Sequence, residues 1–276
     1  MSTSRTRLCC LIGDPVGHSY SPAMFSAAFA KLGLDFAYLA FRVKKEELEA
    51  ALAGLRALGF AGCNVTIPHK IDAIKHLDLL DETARASGTV NVIANADGKL
   101  VGYNTDGAGA LASLEANGVK LDNRTILIIG YGGAARALGF ELALRRHPKQ
   151  ILILGRDAGK ASALSRELGR TVSSATSSPE AAGEADIIIN ATPLGMHPNI
   201  DQTPLSASFL KEGSTVFDLV YNPTETRLLR EARKRGCFVI GGLEMLVQQA
   251  GRAFTIWTGR DAPIEAMRRA AEEAAD

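Results

Sequence analysis

Apolar positions in the first third of the chain follow two alternating spacings. Residues 8–12 form a short unbroken apolar run stopped by Gly13-Asp14-Pro15, which reads as a buried strand entering a loop. Residues 22–32 have helical apolar spacing, with Ser21 as a good N-cap and Pro22 at the first helical position. Residues 36–42 read as a strand, 46–58 as an amphipathic helix, and 63–67 as a strand ended by Pro68. This β-α-β-α-β rhythm predicts a parallel sheet with helices on its faces.

A second rhythm begins near Asp106. Residues 107–117 read as a helix ended by Gly118, and 125–129 as a short, wholly apolar strand. Gly130-Tyr131-Gly132-Gly133 follows, then a helical run over 134–146. Residues 150–154 predict a strand and 160–168 a helix, while 186–190, 215–219 and 237–240 look like later strands of the same sheet. The last part, 243–258 and 263–274, is helical. The pattern therefore predicts two α/β units and a helical tail, without an internal repeat or a long linker. Residues 173–178 are expected to be a polar loop.

Composition narrows the function classes. The chain has 276 residues, enough for two modest domains that each bury a core. A formal charge of +1 gives no bulk electrostatic reason to bind nucleic acid or an anionic membrane. No stretch is long and apolar enough for a membrane span, and residues 8–13 are too short for a signal h-region. Cys9, Cys10, Cys63 and Cys237 lack metal-ligand spacing with a histidine partner, and read as reduced structural thiols of a cytoplasmic protein. No metal is expected.

Gly130-x-Gly132-Gly133-x-Ala135 lies between an expected strand and helix, where a phosphate-binding turn belongs. Glycines let the backbone approach a pyrophosphate, and the helix N-terminus offers free N–H groups and partial positive charge. The next strand ends in Gly155, where an NAD reader usually carries a carboxylate for the ribose. Arg156 and Lys160 follow, and two cations suit the 2′-phosphate of NADP. Asp157 pulls the other way, because its carboxylate could bind a ribose and repel a phosphate.

Three polar clusters precede the nucleotide unit. The first is Gly17-His18-Ser19-Tyr20-Ser21-Pro22, whose serines can hydrogen-bond a carboxylate near a helix start. Ser21 also reads simply as a cap. The second is Asn64-Val65-Thr66-Ile67-Pro68-His69-Lys70, with Asn64 and Thr66 alternating on one strand face. The third is Val90-Asn91 with Asn104-Thr105-Asp106-Gly107. A lysine and an aspartate together at a polyol supply the charge-assisted bonds and proton handling of a carbonyl reduction.

Taken in order, these motifs closely resemble the shikimate dehydrogenase family. The resemblance runs through Gly13-x-Pro15-x-x-His18-Ser19-x-Ser21-Pro22, Asn64-Val65-Thr66-x-Pro68-x-Lys70, Asn104-Thr105-Asp106-Gly107, Gly130-x-Gly132-Gly133-Ala134 and Asn190-Ala191-Thr192. It continues in Asp218-x-x-Tyr221 and Gly242-Leu243-x-Met245-Leu246-x-x-Gln249-Ala250, and so covers essentially the whole chain.

The resemblance implies an α/β fold of two α/β domains. A substrate domain with a mainly parallel sheet would span 1–105, and a Rossmann-like NADP domain 106–242. The C-terminal helices, 243–276, would return to the first. It implies NADP-dependent interconversion of 3-dehydroshikimate and shikimate, in the pathway to aromatic amino acids, by a cytoplasmic monomer or homodimer. Lys70 and Asp106 would be the catalytic pair, and Ser19 and Ser21 would bind the substrate carboxylate. Thr66, Asn91, Tyr221 and Gln249 would contact the ring and its hydroxyls. Gly130, Gly132, Gly133 and Ala134 would hold the pyrophosphate, Arg156 and Lys160 the 2′-phosphate, and Thr192, Leu219 and Gly242 the nicotinamide end. The chain departs from the family pattern at four places. Phe25 stands where a histidine is usual, Tyr131 for alanine, Gly155 for asparagine and Asp157 for threonine. The last two put cofactor choice, not the reaction, in question. An NAD-dependent quinate/shikimate dehydrogenase and a non-catalytic shikimate- or quinate-binding sensor are the alternatives.

Overall fold

Two six-stranded sheets organise the protein, and they differ in how their strands pair. The computed structural model describes residues 3–169 and 173–275. The chain divides into two units, Met1–Gly109 with Val247–Asp276, and Ala110–Leu246.

The first unit begins with β1 (Arg7–Gly13), α1 (Ser21–Lys31) and β2 (Phe36–Arg42). A 3₁₀ turn (Lys45–Glu47), α2 (Leu48–Ala57) and β3 (Gly62–Val65) follow. A second 3₁₀ turn (Asp72–His76), β4 (Leu79–Leu80), α3 (Glu82–Ser87) and the hairpin β5 (Val92–Ala96)–β6 (Lys99–Tyr103) complete its N-terminal part. The strand order is β2-β1-β3-β5-β6-β4. The parallel prediction holds for β2-β1-β3, whereas β5 runs antiparallel to both β3 and β6. The hairpin turn is Asp97-Gly98, both with positive φ, the geometry that matches strand twist in a two-residue connection.

Some local expectations shift. The helix expected over 46–58 opens as a 3₁₀ turn, where the Glu47 carboxylate accepts the Lys44 N–H at 3.2 Å. The strand expected to reach Ile67 stops at Val65, because the Thr66 carbonyl accepts the His69 N–H in a turn at 2.9 Å. Ser21 is the first residue of α1 rather than its cap, a place taken by Tyr20.

Apolar residues cover both faces of this sheet. Cys10, Ile12, Cys63 and Val65 pack with Leu48, Leu52 and Leu55 of α2. On the opposite face, Phe25 of α1 stacks on Tyr38 at 4.3 Å and lies 5.1 Å from Trp257. Trp257 donates its indole N–H to the Ile93 carbonyl at 3.0 Å. Gly62 makes room for it, since a Cβ there would sit 2.0 Å from the indole nitrogen.

The second unit takes in most of α4 (Asp106–Ala116), then β7 (Thr125–Ile129), α5 (Gly133–Arg145), β8 (Gln150–Leu154) and α6 (Ala158–Leu168). It continues with β9 (Ser173–Thr176), β10 (Ile187–Asn190), β11 (Thr215–Asp218), α7 (Arg227–Lys234) and β12 (Phe238–Ile240). The helix α8 (Gly242–Thr258) leads the chain back to the first unit, which α9 (Ile264–Glu273) completes. The sheet is wholly parallel, in order β12-β11-β10-β7-β8-β9. Ile126 and Ile128 enter one core and Leu127 and Ile129 the other, as a central strand buried on both faces requires.

The polar loop expected over 173–178 is instead in part β9, a strand at the sheet edge. Its Ser-Ser-Ala-Thr sequence has no apolar alternation, and pairing with β8 supplies the order that the pattern lacks. The helix α7 has no counterpart among the expected elements. The Thr226 hydroxyl caps it by accepting the Leu229 N–H. Among the described residues no helix is long and apolar enough to cross a membrane.

Candidate active site

The second and third polar clusters meet in the first unit. The Lys70 ammonium lies 2.6 Å from Asp106 Oδ2, and both side chains are largely withdrawn from solvent. The other oxygen of Asp106 accepts the Asn91 amide N–H at 2.8 Å. That amide is shared with the Thr105 hydroxyl at 2.9 Å and Gln249 Oε1 at 3.2 Å, while Asn91 Oδ1 accepts the Thr105 N–H at 2.8 Å. Asn104 holds the turn from below, accepting the Asp106 N–H at 3.0 Å and donating to the Thr89 hydroxyl at 2.7 Å.

Strand direction explains this convergence. Because β5 is antiparallel to β3, Asn91 at its start lies beside the C-terminal end of β3, where the Val65 N–H donates to the Asn91 carbonyl at 2.8 Å. Hairpin pairing of β5 with β6 brings Asn104–Asp106 to the same edge. Lys70 is delivered by the turn after β3, which the buried His69 pins with its Nε2–H on the Val43 carbonyl at 2.7 Å.

A second chain of bonds runs from the serine cluster. Ser21 is buried, Ser19 half-buried, and the Ser19 hydroxyl accepts the Ser21 N–H at 3.3 Å. The Ser21 hydroxyl also bonds to the Tyr38 hydroxyl. Tyr38 donates onward to Asn64 Oδ1 at 2.7 Å, and the Asn64 amide donates to the Asn91 carbonyl at 3.2 Å. Sequence reading missed Tyr38, which looks like any core aromatic, and noted Asn64 without giving it a role. Thr66 follows directly, its methyl against Gly13, where a Cβ would come within 2.3 Å.

In the second unit the glycine motif occupies the point where strand order reverses. The chain goes from β7 outward through β8 and β9, then returns to β10 on the other side of β7, leaving a crevice at their C-terminal ends. Gly130, at φ +118°, packs so closely that a Cβ would lie 3.1 Å from the Ala191 carbonyl and 3.1 Å from the Thr192 methyl. Gly132 faces open space, and no side chain caps α5, so the N–H groups of Gly133 and Ala134 stand at an uncapped helix start. Such a start suits a pyrophosphate. Gly242 closes the far side, where a Cβ would lie 2.5 Å from the Leu219 carbonyl.

Asp157 turns out to have a local reason. It is the N-cap of α6, its carboxylate accepting the Lys160 N–H at 3.0 Å. Aspartate and threonine are both good N-caps, so either residue does this work. Arg156 is exposed and makes no ion pair or hydrogen bond among the described residues, which leaves its guanidinium available to a phosphate. Tyr131 and Gly155 are also linked, since a Cβ at Gly155 would lie 2.5 Å from the Tyr131 ring. The Lys160 ammonium stands 5.9 Å from the centre of the same ring. Two departures from the family pattern thus form one packing unit.

Behind Thr192 and Leu219 lies a buried carboxylate, Asp218, with no ion-pair partner among the described residues. Asp218 Oδ1 accepts from the Asn190 amide at 2.9 Å and the Val220 N–H at 3.0 Å, and Oδ2 accepts from the Thr226 hydroxyl at 2.7 Å. Asn190 in turn accepts the Thr192 hydroxyl at 2.7 Å. Burial outweighs these bonds and pushes the Asp218 carboxyl up to about 6. Tyr221 follows on this braced turn, half-buried.

Three family profiles match the chain. The shikimate dehydrogenase substrate binding domain covers residues 11–93, shikimate / quinate 5-dehydrogenase covers 110–219, and the shikimate 5′-dehydrogenase C-terminal domain covers 242–272. Shikimate dehydrogenase (NADP⁺) of Moorella thermoacetica is 47% identical, over 98% of this chain and 94% of that protein. The enzyme of the same name from Methanocaldococcus jannaschii is 46% identical, over 98% of each chain. Among solved structures, shikimate 5-dehydrogenase of Thermus thermophilus in complex with NADP(H) and shikimate superposes with a TM-score of 0.90 at 37% identity, covering 97% of this chain and 99% of that one. With these likenesses running from the serine cluster to the last helices, the chain belongs to the shikimate dehydrogenase family.

Proposed function

We propose that the protein is an NADP-dependent shikimate dehydrogenase, which reversibly reduces 3-dehydroshikimate to shikimate in the cytoplasm, on the route to aromatic amino acids. The observation that carries this reading is the Lys70–Asp106 pair, locked by Asn91 in a chain similar throughout to enzymes of that name. Residues 1–105 with 243–276 serve the substrate, and 106–242 the dinucleotide.

Ser19 and Ser21 hold the substrate carboxylate, and Thr66, Asn91, Gln249 and Tyr221 the ring and its hydroxyls. Gly130, Gly132, Gly133 and Ala134 present backbone to the pyrophosphate, Arg156 and Lys160 bind the 2′-phosphate, and Thr192, Leu219 and Gly242 line the nicotinamide end. NADPH, when bound, supplies the hydride that adds to the carbonyl carbon. Lys70 then has two tasks: its ammonium stabilises charge growing on the carbonyl oxygen, and it donates the proton that completes the hydroxyl. Asp106 orients that hydroxyl and holds Lys70 in place, while Asn91 keeps the carboxylate from turning away. In the oxidative direction Lys70 takes the proton back.

The test is purified protein with shikimate, following absorbance of the reduced nicotinamide with NADP⁺ and NAD⁺ in parallel and quinate as the control substrate. Rapid reduction of NADP⁺ with shikimate alone is the expected result. Preference for NAD⁺ or comparable turnover of quinate would move the protein to the quinate/shikimate class. Absence of turnover with either cofactor would overturn the enzyme reading and leave a binding sensor.

A further inference from the structure

In the glycine turn of the second unit, a tyrosine ring fills the place of a missing side chain. Gly155 directly follows β8, at the strand end where dinucleotide sites keep the side chain that reads the ribose. A Cβ there would lie 2.5 Å from Cδ1 and 2.7 Å from Cε1 of Tyr131, so the ring already holds that space. The family pattern has alanine at 131 and asparagine at 155, and this chain has moved the bulk from one position to the other. The exchange keeps a polar atom in the same neighbourhood. The Tyr131 hydroxyl is two bonds from Cε1, within the span that a residue-155 side chain would serve.

The ring is held, but its hydroxyl is not. Tyr131 is half-buried and packs against the core of its unit, with the Lys160 ammonium over the ring at 5.9 Å from the centre. Its hydroxyl makes no hydrogen bond among the described residues. Beside it, Arg156 is exposed, while the Lys160 ammonium lies 3.8 Å from the Asp157 carboxylate. That carboxylate, fixed as the α6 cap, offsets part of the positive charge this corner offers to an anion. A neutral O–H donor at the same corner adds a charge-assisted bond that brings no countercharge.

We propose that Tyr131 is a cofactor-specificity residue, its hydroxyl donating to the 2′-phosphate of NADP in place of a side chain at 155. This assignment rests on the proposed NADP dependence and adds a third phosphate donor to Arg156 and Lys160. The phosphate is favoured over the ribose because a phenol has one hydrogen to give, and an ionised acceptor forms the stronger bond.

Titration calorimetry of the full chain with NADP⁺ and with NAD⁺, which differ only in the 2′-phosphate, tests the assignment in the wild type and in Tyr131→Phe. Phenylalanine keeps the ring and its packing and removes only the hydroxyl. The wild type is expected to prefer NADP⁺. Tyr131→Phe is expected to weaken NADP⁺ by about tenfold, as loss of one hydrogen bond to a charged group does, and NAD⁺ by less than about twofold. The retained NAD⁺ affinity reports an intact turn. An unchanged NADP⁺ affinity in Tyr131→Phe, or an equal loss for both dinucleotides, overturns the role of Tyr131 and leaves the NADP dependence standing. A wild-type chain that binds NAD⁺ as tightly as NADP⁺ overturns the NADP dependence itself, and the role of Tyr131 with it.

Discussion

The Lys70 ammonium and the Asp106 carboxylate sit 2.6 Å apart, and each is fixed by a different part of the sheet. Lys70 arrives on the turn after β3, anchored by His69 on the Val43 carbonyl. Asp106 opens α4, with Asn91 on its second oxygen and Asn104 on its N–H. The carboxylate is thus satisfied on both sides, and Lys70 retains donors beyond its bond to Asp106. A pair held in this way can orient a substrate hydroxyl without first reorganising, which is the condition for electrostatic catalysis.

If Lys70 supplies the proton, Lys70→Ala lowers kcat by roughly 10²- to 10⁴-fold with a smaller change in KM. Steady-state kinetics with shikimate and NADP⁺ checks this, alongside circular dichroism to confirm the fold. A loss confined to KM would reduce Lys70 to a binding group.

If Arg156 reads the 2′-phosphate as proposed, cofactor choice rests there and not on Asp157, which has its own task as the α6 cap. Arg156→Ala is expected to weaken NADP⁺ by at least about tenfold, as loss of a charge-assisted phosphate bond does, and to leave NAD⁺ nearly unchanged. Asp157→Thr keeps the α6 cap and should tighten NADP⁺ modestly, whereas Asp157→Ala costs about 1 kcal/mol of stability. Titration calorimetry and thermal unfolding separate these effects. A gain in NAD⁺ use on Arg156→Ala, lost again on Asp157→Thr, would make Asp157 a ribose reader after all.

Tyr131 and Gly155 should behave as one unit. Gly155→Asn alone forces its side chain into the Tyr131 ring and is expected to destabilise the protein, while Tyr131→Ala with Gly155→Asn recovers most of the loss. A double-mutant cycle by denaturant unfolding should give a coupling of about 0.5–3 kcal/mol. Additive effects would show that the ring simply swings aside.

Asp218 predicts a pH dependence of stability. Its folded carboxyl is raised from 3.8 to about 6, so between those values the folded protein holds more protons than the unfolded chain. Its contribution is therefore fully favourable below about pH 4 and fades as pH rises through 6, by about 3 kcal/mol in all. Asp218→Asn keeps the bonds from Asn190 and Val220 and can donate to the Thr226 hydroxyl. Urea unfolding of both proteins from pH 4 to 7 should show the wild type losing stability relative to this variant as pH rises. Parallel curves would mean the carboxyl titrates normally.

The linear pattern was sufficient wherever one element carries its own signal. Phe36–Arg42, Thr125–Ile129 and Gln150–Leu154 fold over the residues their apolar runs mark, and the glycine turn lies between strand and helix as its composition requires. The candidate site residues were legible only as a set: a lone lysine after a strand is usually a surface residue and an aspartate before a helix often only a cap, but the motifs in order resemble one family. Tertiary structure decided which of them meet. Nothing in the spacing says that β5 turns antiparallel, and only that reversal brings Asn91 to Asp106 and Lys70. Tyr38 gained its link to Ser21 and Asn64 from the registers of β2 and β3 on the β1 strand between them, while Asp157 and Gly155 acquired their meaning from a helix cap and a neighbouring ring. Periodicity reports the burial of a face, which a chain encodes locally. Hydrogen-bond partners far apart in sequence are chosen by strand direction and packing, which it encodes only as a whole.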